Sequence, residues 1–330
     1  MPEFSFIIPV YNRAEEVDEL LQTIIEQTSK NFEVIIVEDG SEETCEHIIQ
    51  KHENKATIKY IVQNNSGPGS ARNNGAKKAR GCWLIFLDSD CLLPRNYLDI
   101  VKAEVDCEEF DGFGGPDKAH PAFNRIQQAI GYAMSSVITT GGIRGAKEQF
   151  DLFYPRSYNM GVRNSVFNAL EGFSDMRFGE DLDFSMRLIK KGYSTRLIKE
   201  GFVFHKRRNN FRSFFKQVYN SGIARINLEM RHKGTTKLVH WLPSLFILSH
   251  ILIFLIAFAY PWILLLLIIT PAIIYVHANK TLKNKTSALW AVAAAYVQTV
   301  GYGLGFLEGI IVRRLLKKRE FHAFKENFYK

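Results

Sequence analysis

The stretch WLIFLDSDCLLP spans residues 83–94: five large apolar residues, then Asp88-Ser89-Asp90, then apolar residues again. A short apolar run bounded by turn-forming residues fits a strand buried on both faces. Carboxylates are seldom buried unless paired or bound to a metal. Two of them closing a core strand therefore mark an edge where something offsets their charge.

Upstream, two periods alternate. FSFIIPV (Phe4–Val10) is a short apolar run, and Val17, Leu20, Leu21, Ile24 and Ile25 then follow at helical spacing. Next come the strand FEVIIVEDG, a helix over 42–52, the strand TIKYIVQ, a helix over 68–79, and CWLIFLD. This β-α-β-α-β-α-β order predicts a mostly parallel sheet with helices on both faces. Such sheets bind ligands beyond the carboxyl ends of their strands. Those ends carry Tyr11-Asn12, Glu38-Asp39-Gly40-Ser41 and Asp88-Ser89-Asp90.

Each element also has a plainer reading. Asp39-Gly40-Ser41 fits a turn and helix cap. NNSGPGSARNNGAKKARG (64–81) fits a solvated basic helix, or an anion cradle with Arg72 adding charge to free helix N–H groups. Asp88 and Asp90 can form a turn or together reach a divalent cation that takes oxygen ligands. Glu180, Asp181 and Asp183 can serve the helix macrodipole, or crowd one another until one becomes a better base.

The composition changes near residue 240. Residues 241–278 contain no Asp, Glu, Lys or Arg, enough for two crossings of a roughly 30 Å hydrocarbon core, with Pro261 at the hairpin between them. A third apolar segment, 288–312, is weaker, with Gln298, Glu308 and several glycines. The tail from Arg313 is basic and amphipathic. The expected organisation is a catalytic domain over 1–235 and a membrane region over 236–330. The positive-inside rule wants both 279–285 and Arg313-Arg314 on the cytosolic side, which one crossing between them cannot satisfy.

Net charge is +8 and the pI is near 9.2. With no basic recognition helix or aromatic pair of the RNA-binding type, nucleic acid is not an expected partner. Four cysteines without metal spacing read as reduced thiols. The start, MPEFSFIIPVYNR, lacks the pattern of a signal peptide.

FSFIIPVYNR, VIIVEDGS, NNSGPGSARNNGAKKARGCWLIFLDSD and GFSDMRFGEDLDFSMRLIKKGY occur in the order seen in family-2 glycosyltransferases, and the chain resembles that family over residues 4–226. The resemblance implies a GT-A fold and an inverting transfer from a nucleotide-diphospho-sugar. It implies that Pro9, Val10, Tyr11 and Asn12 line the base and ribose, that Asp39 reads the base, and that Gly69, Arg72, Asp88 and Ser89 lie at the nucleotide. It further implies that Asp88 and Asp90, with His205, hold Mn²⁺ or Mg²⁺, and that Asp181 is the catalytic base beside Glu180. Asp183 and Arg187 are expected to fix the helix and its loop.

A UDP-sugar is the favoured donor, because Asp39 can accept from a uracil N–H. The processive members' QxxRW motif is absent; the chain reads Gln217-Val218-Tyr219-Asn220-Ser221, which argues for single additions. The expected acceptor is a lipid or lipid-linked saccharide of cell-surface polysaccharide synthesis, met at the cytosolic face of the inner membrane by a multi-pass protein. Direct transfer to polyprenyl phosphate or a membrane lipid is the alternative within the class; a non-catalytic sugar-nucleotide scaffold is the alternative outside it. Residues 211–226 are expected as an interfacial helix, and residues 124–140 as a helix near the membrane shaping the acceptor entrance.

Overall fold

The computed structural model describes residues 1–118, 120, 123–140 and 153–320. The chain forms two compact units. The first contains β1 (Phe4–Val10), α1 (Ala14–Ile25), β2 (Phe32–Asp39), α2 (Glu46–His52), β3 (Ile58–Gln63), α3 (Pro68–Ala76), β4 (Trp83–Leu87), β5 (Cys91–Leu92), α4 (Tyr97–Cys107), β6 (Gly112–Gly114) and β7 (Asp117–Lys118). The chain then passes through α5 (Arg125–Ser135) and α6 (Val137–Thr140) of the second unit. It returns to the first unit as β8 (Asn159–Arg163), α7 (Asn164–Ala169), α8 (Glu180–Lys190), β9 (Thr195–Leu197) and β10 (Val203–His205).

The main sheet has the order β3-β2-β1-β4-β8-β6-β9. β1 lies between β2 and β4 and is parallel to both, and β3 is parallel to β2. β8 alone is reversed, pairing antiparallel with β4 and β6. The chain adds strands to one side of β1, then crosses back to place β4 on the other. That reversal leaves a crevice at the carboxyl ends of β1 and β4, beside Val10 and Leu87.

Residue alternation sorts the two faces of the sheet. Phe4, Phe6 and Ile8 of β1 join Val17, Leu20 and Ile24 of α1 in one buried cluster. Ile7 points the other way, into a cluster with Ala76 of α3, Leu84, Phe86 and Phe184. A Cβ on Gly75 would fall 2.7 Å from Ile7 Cγ2, so only glycine lets α3 lie this close to the sheet. Each fully buried Leu, Ile or Phe here contributes on the order of 1.5–3 kcal/mol.

Helix α2 starts at Glu46, later than the expected 42, because the preceding amides bond elsewhere. Glu42 N donates to Asn12 Oδ1 and Cys45 N to Glu38 Oε2, both at 2.8 Å. The strand-like run STRLIKEGFVFH (194–205) forms two strands in different sheets. A turn with Gly201 N donating to Ile198 O at 3.1 Å separates β9 from β10, which joins β5 and β7 in a three-stranded sheet.

The second unit comprises α5, α6, α9 (Phe211–Arg231), α10 (Leu242–Ala257), α11 (Leu266–Leu282) and α12 (Lys285–Gly309). The boundary expected at 235 falls inside it. The reason is packing: α9 buries Phe214, Val218 and Ile226, and it lies backbone to backbone on α12. A Cβ on Gly305 would sit 2.0 Å from Tyr219 O, and one on Gly222 would sit 2.3 Å from Tyr302 O. The expected interfacial helix is thus a core helix of this unit. Helix α5, opened by an Asn124–Gln127 capping box, buries Ala129, Ile130 and Ala133 against Ala288 and Ala291 of α12.

Two helical stretches, Pro261–Leu282 and Lys285–Leu315, are long and apolar enough to cross a membrane. Helix α10 has 16 residues and spans about 24 Å, short of the roughly 30 Å core. The apolar segment that read as weakest is therefore part of the longest helix, and the first is the short one. Leu252, Leu255, Phe258 and Trp262 are more than half exposed. Residues 141–149 and the tail from 321 lie outside the described residues.

Candidate active site

Helix α8 opens with three acids, Glu180, Asp181 and Asp183, all buried. Gly179 precedes it in the left-handed region (φ +89°), which turns the chain into the helix without a Cβ penalty. Asp183 pairs with Arg187 at 2.9 Å, and Arg187 also donates to Leu170 O and Gly172 O at 2.6 Å each. Asp183 and Arg187 therefore fix the helix to the preceding loop, as expected.

Arg72, on α3 and 3% exposed, lies between two carboxylates. It donates to Asp88 Oδ1 at 2.6 Å and to Glu180 Oε1 at 3.0 Å, and its guanidinium lies 5.7 Å from the Phe173 ring. Asp181 pairs with Arg156 Nε at 2.7 Å through Oδ2 and accepts from Leu182 N at 2.8 Å through Oδ1. The two adjacent acids thus have different cations, and they titrate in opposite directions. Burial pushes Glu180 up to about 7 against the pull of Arg72, and the Asp181 charge adds to the rise. Burial also raises Asp181, but the Arg156 charge and hydrogen bond outweigh it and hold the carboxyl below its usual range. Crowding alone predicts a rise in both; the split follows from Arg156, which no sequence pattern singled out.

At the end of β4, Asp88, Ser89 and Asp90 are half-buried. His205 of β10 brings its Nε2 to 3.0 Å from Asp90 Oδ1 and 3.9 Å from Asp88 Oδ2, with Tyr158 stacked on the imidazole at 5.3 Å. The three residues expected as cation ligands therefore converge. Two carboxylates and an imidazole form a donor set that fits a divalent cation. Cys91 is fully buried, yet its Sγ lies within 4.8 Å of ligand atoms of Asp90 and His205. Burial pushes that thiol well up, and it donates to Tyr158 O at 3.5 Å.

Asp39 is 1% exposed at the end of β2. Oδ1 accepts from Gln63 Nε2 and Ser66 N, and Oδ2 from Gly67 N, each at 2.8 Å. Burial raises its pKa despite these donors. Asp39 thus clamps the loop that starts α3, a task the sequence did not show. Pro9 and Val10 end β1, half-buried and buried; Tyr11 is half-buried and Asn12 exposed beyond them. Gly69 is buried in the first turn of α3, three residues before Arg72.

The glycosyl transferase family 2 profile matches residues 5–169, half of the chain, and the chain belongs to that family. An uncharacterised glycosyltransferase of Haemophilus influenzae is 42% identical over 195 residues, covering 57% of this chain and 62% of that protein. One of Rickettsia bellii is 36% identical over 141 residues, 43% of this chain, but that match spans only 19% of the relative's length. The mannosyltransferase PcManGT of Pyrobaculum calidifontis, solved with GDP-Man and Mn²⁺, aligns over 96% of this chain and 88% of its own, with TM-score 0.56 and 17% identity. That likeness concerns the fold, a GT-A-like α/β domain with a mostly parallel sheet followed by C-terminal helices, as the sequence resemblance implied.

Proposed function

We propose that the protein is an inverting, metal-dependent glycosyltransferase that moves a sugar from a nucleotide-diphospho-sugar to a lipid or lipid-linked saccharide at the cytosolic membrane face. The observation that carries this reading is the shared arginine: Arg72 joins Asp88, in the cation-ligand cluster, to Glu180, in the acid pair of α8. Donor handling and proton handling thus meet across one side chain.

Asp88, Asp90 and His205 would hold Mn²⁺ or Mg²⁺, which when bound supplies positive charge against the departing diphosphate. The Pyrobaculum neighbour carries GDP-Man and Mn²⁺ in its structure, a ligand class that suits this donor set. Asp39 favours a UDP-sugar in this reading, because a carboxylate can accept from a uracil N–H. Pro9, Val10, Tyr11, Asn12, Gly69 and Ser89 complete the nucleotide subsite in this reading.

A sugar hydroxyl needs a carboxylate to take its proton as the bond to C1 forms. Asp181 is the group for that step. Its carboxylate is ionised across the neutral range, whereas Glu180 retains a proton up to about pH 7. Opposed titration of two neighbouring acids is how one site divides such roles. The apolar helices of the second unit support a membrane-borne acceptor, met without leaving the bilayer surface.

The test is transfer and donor binding with UDP-, GDP- and dTDP-sugars in Mn²⁺ or Mg²⁺. Asp181→Asn is expected to abolish transfer while donor binding persists; loss of binding as well would overturn its role as base. Turnover unchanged in EDTA would remove the cation from the mechanism.

A further inference from the structure

Two buried glutamates on β2 carry the same hydrogen-bond motif at opposite ends of the sheet. At the amino end, Gly81 N donates to Ser5 Oγ at 2.9 Å, and Ser5 Oγ donates to Glu33 Oε1 at 2.9 Å. At the carboxyl end, Asn12 N donates to Ser41 Oγ at 2.7 Å, and Ser41 Oγ donates to Glu38 Oε1. Both glutamates are fully buried. They differ in their other partners. Glu33 has two cations, Lys59 and Arg80, each at 3.2 Å. The other donors to Glu38 are neutral: Cys45 N at 2.8 Å and Tyr60 OH at 3.0 Å.

A buried carboxylate held by neutral donors costs free energy unless each donor is well placed. Those that meet on Glu38 come from three segments: the loop after β2, the start of α2, and β3. Through Ser41 the carboxylate also reaches a fourth, the corner after β1. There Asn12 has φ +53°, a left-handed conformation unfavourable for a residue with a Cβ, less so for Asn. Two bonds hold that conformation: the Asn12 N–H to Ser41 Oγ at 2.7 Å, and Glu42 N to Asn12 Oδ1 at 2.8 Å. The Tyr11-Asn12 corner is therefore pinned to the Gly40–Ser41–Glu42 loop, and Glu38 orients the hydroxyl that does the pinning. Asp39, the next residue, points to the opposite face of the sheet and clamps the loop before α3.

We propose that Glu38 is a positioning residue for donor binding: through Ser41 it sets the spacing between the corner after β1 and the loop after β2, and so sets nucleotide affinity without touching the nucleotide. This inference rests on the proposed function, which lines the nucleotide subsite with Tyr11 and Asn12 after β1 and with Asp39 at the end of β2. Glu38→Gln leaves one acceptor oxygen instead of two, and its N–H₂ can only donate, so either Ser41 or both Cys45 N and Tyr60 OH lose their acceptor. Alanine at 41 removes the acceptor of Asn12 N and leaves the Cys45 and Tyr60 bonds in place.

The experiment measures UDP and GDP affinity with Mn²⁺, by calorimetry on the full chain, for the wild type, Glu38→Gln, Ser41→Ala and the matched control Ser5→Ala. All three variants lower the melting temperature, because each disrupts a buried serine–glutamate contact. Glu38→Gln and Ser41→Ala are expected to weaken nucleotide binding about tenfold, the loss of one charge-assisted hydrogen bond. Their kcat at saturating donor stays near the wild-type value, and Ser5→Ala binds within twofold of wild type. Equal weakening in Ser5→Ala would reduce the effect to general destabilisation and overturn the proposal. So would wild-type affinity in both carboxyl-end variants while the wild type binds. A wild type that binds neither nucleotide would instead refute the nucleotide reading of this edge, and the positioning role would fall with it.

Discussion

Replacing Arg72 with methionine removes a side chain that pairs with both Asp88 and Glu180. Breaking a buried ion pair by deleting one partner costs about 3–5 kcal/mol. Two features of the site reduce that figure. The Asp88 side chain is 31% exposed, so water screens it and its share is below about 1 kcal/mol. Glu180 is buried and can take up a proton instead of standing as an unpaired anion. Without Arg72 its carboxyl rises further still. At pH 5.5 it is neutral in the variant and the loss is about 1 kcal/mol; at pH 8 it has to ionise or bind a proton at a cost of ~1.4 kcal/mol per pH unit, and the loss is about 3 kcal/mol.

The sign follows from linkage: a carboxyl whose folded pKa is raised gives stability that is complete below its unfolded value and lost as pH rises through the folded value. At about 2–4 °C per kcal/mol, Arg72→Met should melt about 3 °C below wild type at pH 5.5 and about 9 °C below it at pH 8. Thermal unfolding of the purified protein at both pH values is the assay. Adding Glu180→Gln should cancel most of the pH 8 deficit, because the anion that lacked a partner is gone. A deficit that is equal at the two pH values, or larger in acid, would refute the assignment of Glu180 as the proton-holding acid.

Helix packing gives the remaining predictions. Gly305→Ala places a Cβ 2.0 Å from a backbone oxygen of α9, so it should cost several kcal/mol and yield a polydisperse protein on size exclusion. Gly131→Ala, in α5 with nothing within 4 Å of the added carbon, should be neutral or stabilising by up to about 1 kcal/mol. A chain cut after residue 238 keeps α9 but loses α12, exposing Phe214, Val218 and Ile226. It should aggregate, and a soluble monomer on size exclusion would show that α9 does not need its partner.

Local patterns carried much of the architecture. The four parallel strands β1 to β4, with their helices, follow from runs of apolar residues alternating with helical spacing, and these are short-range signals. Asp39, Asp88 and Asp90 were legible because acids rarely follow buried apolar runs, and Glu180 and Asp181 because acids crowd at the start of a helical run. Other features had no local signature. The reversal of β8 depends on which neighbour it meets, and NMGVR reads the same in either direction of pairing. Helices α5 and α9 read as a helix near the membrane and an interfacial helix, and only their contacts with α12 show a shared bundle. Arg156 lies 25 residues before the acid it holds, in a segment without periodicity.

By itself the sequence determined the parallel sheet, the acidic edge at its carboxyl ends and the apolar C-terminal helices. Each of these depends on residue types at short spacing, where hydrophobic burial and backbone geometry act locally. Tertiary structure decided which acid keeps its proton and which stays ionised. That choice depends on burial and on the nearest cation, and the arginine beside Glu180 comes from 108 residues away in the chain. It also decided that Glu38 and Asp39, adjacent in sequence, hold different loops, because successive residues of a strand face opposite sides of the sheet.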